Sequence, residues 1–317
     1  FNIITMTVVI YDDIYLKHDT GPNHPENATR IINTIEHLRS TNLWQKLDIK
    51  KPRTATKAEV SAIHSTSQIE QVAEIARSGG EYLDPDTYVS SDSYEAALNA
   101  AGAPLTAIDL IMDKKADNAF CLVRPPGHHA TPEKGMGFCL FNNVAIAAKY
   151  IQSKYSLDRI VIIDWDVHHG NGTQDAFYDD PSVMYFSMHR YPFYPGTGAE
   201  EETGKDSGSG FTINIPLSYN IEPQEYLKFF EEILEKRIKP FKPQFILISS
   251  GFDAYRLDPI SGLSLEASDY NKLTKLTQNV AKYCCDGRIV SCLEGGYHLL
   301  DLPKCIEEHL NGLMYDI

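Results

Sequence analysis

The chain has no Cys-x-x-Cys pair, and its six cysteines (Cys121, Cys139, Cys284, Cys285, Cys292 and Cys305) lie mostly in apolar surroundings. In 317 residues that pattern reads as reduced core thiols rather than a disulfide framework. Positive charge is also short: 29 lysines and arginines face 43 aspartates and glutamates, a net charge of −14. Direct binding to nucleic-acid phosphates is therefore not expected, and a cationic partner or substrate is. No apolar run approaches the ~20 residues of a membrane span, so no membrane partner is expected. Phe1 to Thr5 lack a basic region and a small-residue cleavage site, so they do not read as a secretory signal, and the sequence leaves open whether the natural start is Met6. The expected location is the cytoplasm, with a nuclear or host-cell site left open, and the oligomeric state leaves no signature. No Pro/Gly/Ser linker and no repeat divides the chain, so residues 1–317 are expected to form a single domain.

What is present is an alternation of strands and helices. Thr7–Tyr11, Ala119–Val123, Ile160–Asp166, Val183–Met188, Phe245–Ser249 and Ile289–Leu293 read as strands. Several are apolar throughout, as happens when helices cover both faces of a parallel sheet. Pro25 sits near a helix start, with Ile31, Ile32, Ile35 and Leu38 following at helical spacing. Thr56 with Glu59, and Ser67 with Glu70, fit capping boxes, and Gly79-Gly80 suits the end of the second of these helices. Residues 142–155 and 223–239 read as helices, and Gly102 with Pro104 predicts a kink or break in a helix over 93–112. Residues 195–210 read as a surface loop. The expected fold class is α/β: one large, mostly parallel β-sheet with helices on both faces.

The run Ile160 to Gly170 begins as a buried strand and ends in charge. Side chains alternate along a strand, so Asp164, Asp166 and His168 project to one side and Trp165 and Val167 to the other. Packing gives no reason for that ending, but a metal ion does, and carboxylate and imidazole are ligand types expected of zinc. Three other strands also end in polar clusters: Arg124 to His129, Ser250 to Asp253, and Glu294 to His298. In open α/β sheets ligands bind beyond the carboxyl ends of the strands, so all four clusters can share one crevice. Taken singly, Asp166 and His168 could be a hydrogen-bonded pair, Asp253 a turn cap and Tyr297 an ordinary half-buried aromatic. Four such coincidences at strand ends are a poorer account than one site.

Arg124–Ala130, Gly137-Phe138-Cys139, Asp164–Gly172, Tyr194–Gly198, Gly251–Ala254 and Glu294–His298 resemble, in order and spacing, the zinc-dependent histone deacetylase and acetylpolyamine amidohydrolase superfamily. The resemblance runs from His24-Pro25-Glu26 to Tyr297 and implies the arginase-deacetylase fold. It implies Asp166, His168 and Asp253 as ligands of one catalytic Zn2+, with room for water and the substrate carbonyl. His128 and His129 would be the general acid/base pair, His129 the base, with Asp164 accepting from His128 and Asn171 orienting His129. Asn171 matches the branch containing the two-domain cytoplasmic deacetylases. Tyr297 would stabilise the oxyanion. Gly137, Phe138 and Tyr194 would line the acyl-lysine tunnel, with Ile260 near its mouth. Structural K+ is implied at two sites: Asp164, the carbonyls of Asp166, His168 and Met188, and the Ser187 hydroxyl; and carbonyls near Phe177, Asp180 and Val183.

The expected partner is an acetylated lysine in a protein or peptide, whose basic context suits the negative charge and the Glu200-Glu201-Glu202 loop. That loop reads equally well as a solvated surface run. Deacetylation of acetylpolyamines is the alternative; a polyamine-selective relative has an acid where Ile260 stands. A non-catalytic acyl-lysine-binding protein ranks lower, and a binuclear manganese ureohydrolase lower still. The rim residue that grips substrate backbone is expected at Leu83, with Asp84 adjacent.

Overall fold

The computed structural model describes residues 6–314, so the reading of Phe1 to Thr5 falls outside the described residues. The strands are β1 (Thr7–Ile10), β2 (Asp48–Lys50), β3 (Gly80–Asp84), β4 (Thr87–Ser90), β5 (Asn118–Cys121), β6 (Ile160–Asp164), β7 (Val183–Arg190), β8 (Thr212–Leu217), β9 (Phe245–Ser250) and β10 (Ile289–Leu293). Eight of them form one parallel sheet in the order β2-β1-β5-β10-β9-β6-β7-β8. Strands β5, β6, β9 and β10, whose ends carry the polar clusters, are the four consecutive central strands. Each is buried along its whole length, which explains the continuous apolar runs.

The helices are α1 (Thr29–Ser40), α2 (Lys57–Val60), α3 (Thr66–Ser78), α4 (Ser93–Met112), α5 (Asn143–Tyr155), α6 (Asn171–Phe177), α7 (Pro223–Ile233), α8 (Lys239–Phe241), α9 (Ala267–Cys285) and α10 (Leu302–Met314). Helices α4 and α5 pack together on one side of the sheet; α9 and α10 pack on the other, with α1 against α10 and α7 against α9.

Local chemistry sets most boundaries. Thr56 and Glu59 make the reciprocal capping box that begins α2. Asn142 caps α5 through its carboxamide and the Ala145 N–H. Gly79, at φ 103°, ends α3 in the left-handed conformation. Other expectations need correction. Helix α3 is capped by Ser65 rather than Ser67, because the Ser65 hydroxyl accepts from Gln68 N. Helix α1, by contrast, starts at Thr29, near Pro25 as expected, and Glu26 between them is fully buried. Helix α4 runs unbroken through Gly102 and Pro104. The segment 53–55 lies against it there: Ala55 N donates to Leu98 O at 2.9 Å, and Arg53 N to the Thr106 hydroxyl at 2.9 Å. A Cβ on Gly102 would collide with the Arg53 carbonyl, so the glycine makes room for this segment. The strands missed by pattern are β2 and β8 at the sheet edges and the antiparallel β3–β4 pair outside the sheet. Edge strands pair on one side only and need no continuous apolar run: no residue of β2 is fully buried, and β8 carries half-exposed Ile215 and Pro216, a proline that fits such an edge.

Candidate active site

Beyond the last ladder residue of β6 the chain bends through residues 166–168, with Asp166 N donating to Asp164 Oδ1 at 3.1 Å and His168 N to Asp166 Oδ1 at 2.9 Å. Trp165 goes into the core against Phe230 and His309, while Asp164, Asp166 and His168 face the crevice. The His168 Nδ1 lies 3.1 Å from Asp166 Oδ1 and 3.0 Å from Asp253 Oδ2. One ligand atom from each of these three buried residues lies within 4.8 Å of the others. The backbone is shaped around them: a side chain on Gly251 would strike Asp166, and one on Gly295 would strike Asp166 and Asp253. Gly295 N donates to Asp166 Oδ2 at 2.8 Å, and Val167 N to Asp253 Oδ1 at 2.9 Å. Two carboxylates and an imidazole gathered in a dry interior, with like charges adjacent, are a donor set a divalent cation fits.

The β5 end supplies the paired histidines, whose rings lie 4.0 Å apart. Gly127 N and His128 N donate to one oxygen of buried Glu294 at 2.6 and 3.1 Å, which holds this turn against the β10 end. His128 Nδ1 lies 3.0 Å from Asp164 Oδ2, and His129 Nδ1 lies 2.8 Å from the Asn171 carbonyl oxygen. That oxygen only accepts, so Nδ1 of His129 carries its proton and Nε2 keeps the lone pair. The two rings then diverge in basicity. Burial alone would lower His128, but the charges of Asp164 and Asp166 outweigh it and lift it to about 10. Burial, with charge on His128 and His168, holds His129 well below the usual imidazole range.

Aromatic rings surround these groups. Tyr194 meets the His129 ring at 5.1 Å and the His168 ring at 6.1 Å. Phe138 meets Tyr297 edge-on at 5.9 Å, and His24 meets Phe138 at 4.7 Å. Gly137 adopts φ 57° directly against the His129 ring, where any side chain would collide. Tyr297 is buried with the Arg30 guanidinium 4.9 Å from its ring centre. Ile260 is 37% exposed on the loop after Asp253.

All of the metal, histidine, tyrosine and aromatic residues singled out in the sequence thus come to one place. Asp164 and Ser187 stand opposite each other in the β6–β7 register, with Met188 next to Ser187. The Ser187 hydroxyl is already paired with His189 Nδ1 at 2.8 Å. Phe177, Asp180 and Val183 form a separate turn at the start of β7, where Asp180 N donates to Phe177 O at 3.1 Å. Leu83 on β3 lies beside Gly135, and burial, then the charges of Asp86 and Asp84, raise the pKa of Tyr194. Glu202 is turned inward, accepting from Gln174 Nε2 at 2.6 Å and from Gly198 N and Ala199 N, so it is not part of a solvated acidic run.

Residues missed in the sequence sit just behind this constellation. Phe193 stacks on His168 at 5.3 Å. Glu26 ties Arg30 to Arg124, and Arg30 donates to the Gly296 and Glu294 carbonyls at 2.7 and 2.6 Å. The four-residue spacing of Glu26 and Arg30 was a usable signal; the pairing with Arg124 was not.

The comparisons with known proteins agree with this geometry. A histone deacetylase domain model matches residues 24–313. A probable deacetylase of Archaeoglobus fulgidus is 40% identical over 294 residues, covering 92% of this chain and 81% of that protein. The chloroplastic histone deacetylase 14 of Arabidopsis thaliana is 37% identical over 309 residues, covering 92% and 73%. The crystal structure of the HDA15 HD domain superposes with a TM-score of 0.93 at 34% identity, covering 98% of this chain and 88% of that one. The chain therefore belongs to the histone deacetylase domain family.

Proposed function

We propose that this chain is a zinc-dependent amidohydrolase that removes acetyl groups from lysine side chains of proteins or peptides. Family membership supports deacetylase chemistry, and the buried Asp166/His168/Asp253 cluster carries the reading of a metal-assisted reaction. Asp166, His168 and Asp253 would hold the ion, which when bound polarises the amide carbonyl and acidifies water.

The rest is done by side chains. His129, neutral and with Nε2 free to accept, takes a proton from the attacking water. His128, kept protonated by Asp164, adds positive charge and holds a proton near the departing amine. The two histidines are in ring contact, so the proton inventory belongs to the pair. Asn171 orients His129 without adding charge. Tyr297 supplies a hydroxyl to the oxygen that gains charge as water adds. Gly137, Phe138 and Tyr194 enclose the lysine stem, and Asp86 with Asp84 offers acceptors to substrate backbone at the rim. Structural potassium is proposed at the Asp164/Ser187 group and at the Phe177–Val183 turn, on oxygen ligands suited to a hard cation. The free cysteines suit a reducing compartment such as the cytoplasm.

The test compares kcat/KM of the zinc-loaded protein on acetyl-lysine peptides, longer acyl-lysines and acetylated polyamines. Acetate release from the peptides, inhibited by a hydroxamate, is expected. A more than tenfold preference for polyamines would move the substrate class to small amines, and binding without turnover would make the protein an acyl-lysine reader.

A further inference from the structure

Tyr297 follows two glycines, Gly295 and Gly296, the second at φ 118°. Such a backbone has little stiffness of its own, yet an oxyanion donor must be held to within about 0.5 Å to be useful. The Tyr297 N–H donates to Asp258 Oδ2 at 2.7 Å. The other oxygen of the same carboxylate accepts from Ile260 N at 3.0 Å, Ser261 N at 3.3 Å and the Ser261 hydroxyl at 3.4 Å. That hydroxyl also reaches the Asp253 carbonyl at 3.3 Å, and Arg190 donates to the Ser261 carbonyl at 3.0 Å. One carboxylate therefore ties the glycine turn after β10 to the loop after β9.

The chemistry of Asp258 marks it as more than a turn residue. Burial raises its pKa, and the backbone donors partly offset that cost. Only a carboxylate accepts at both oxygens. An asparagine would set an NH2 group against either the Tyr297 N–H or the Ile260 and Ser261 N–H groups.

We infer that Asp258 is a positioning residue that locks Tyr297 and the Ile260 loop into one unit, coupling the tunnel mouth to the oxyanion donor. The inference rests on the deacetylase reading for the role of Tyr297. Its consequence is specific: loosening the clamp displaces the Tyr297 hydroxyl while leaving the metal ligands in place.

The test uses zinc-loaded Asp258→Asn and Asp258→Ala, Tyr297→Phe and the doubles, with hydrogen exchange of the peptide spanning 294–300 measured on the same proteins. Asp258→Asn should lower kcat ~10-fold or more, the scale of a ~1 Å misplacement or less, with KM and zinc content little changed. In the Tyr297→Phe background it should cause no further loss. The 294–300 peptide should exchange faster while β9 and β10 peptides do not. An equal loss in both backgrounds, or unchanged exchange at 294–300, overturns the inference. Wild-type protein without turnover would fail the deacetylase reading instead, and the exchange comparison would still decide whether Asp258 anchors the turn.

Discussion

Glu26→Gln should be among the most damaging isosteric changes in this protein, and its size can be worked from the contacts. Glu26 Oε1 lies 3.0 Å from Arg30 Nη1 and 2.5 Å from Arg124 Nε, and Oε2 lies 2.8 Å from Arg124 Nη2. All three side chains are fully buried. Burial by itself would raise the Glu26 pKa; the two guanidinium groups overcome it and bring it to about 2 from 4.5. A drop of ~2.5 pKa units is worth ~3 kcal/mol of stability at neutral pH, in line with the ~3–5 kcal/mol of breaking a buried ion pair. The folded pKa lies below the unfolded one, so the stabilisation is complete above about pH 4.5 and is lost as pH falls through about 2. Urea titrations followed by the fluorescence of buried Trp165 should show the variant ~3 kcal/mol less stable at pH 7, with the gap narrowing to ~1.4 kcal/mol at pH 3. A gap under ~1 kcal/mol at pH 7, or one that does not shrink with acid, would refute the reasoning.

Gly102→Ala should destabilise by ~1–3 kcal/mol, because the methyl group meets the Arg53 carbonyl; an open helix site would instead gain up to ~1 kcal/mol. His64 donates from Nδ1 to Thr131 O at 2.9 Å and accepts at Nε2 from Asn142 N at 2.8 Å, and burial lowers it to about 4. The unfolded chain then takes up the proton first, so stability falls as pH drops from about 6.5 toward 4. Denaturation at pH 8 and pH 5 should show ~2 kcal/mol more acid loss in the wild type than in His64→Gln. His168→Ala should abolish tight zinc binding, read as metal content after dialysis, since two carboxylates alone make a weaker site. Tyr297→Phe should lower kcat ~100-fold or more with zinc content unchanged; full turnover would remove its role.

The central strands were legible because each is buried on both faces and must be apolar throughout, as in Ile160 to Ile163. Two members of the candidate metal-ligating group, Asp166 and His168, were legible for the converse reason: with Asp164 they break such a run where packing gives no cause. Edge strands β2 and β8 were not: Asp48 and Pro216 sit at half-exposed positions, and Asn214, though buried, is held by Gln174 and the Glu202 carbonyl. The cap of α3 was misplaced by two residues because serines at 65 and 67 offer the same hydroxyl, and only the chain direction chooses between them.

The amino-acid order alone determined which residue types could hold a metal, which helices could start where, and that four polar clusters follow apolar strands. Those are local facts, carried by side-chain chemistry and alternation within a few residues. The strand order β5-β10-β9-β6 brought the clusters together, and tertiary packing alone decided that Glu26 would bridge Arg30 and Arg124 or that Asp258 would hold Tyr297. Such pairings join residues up to 98 positions apart, and a buried charge finds its partner only when the whole chain has closed around it.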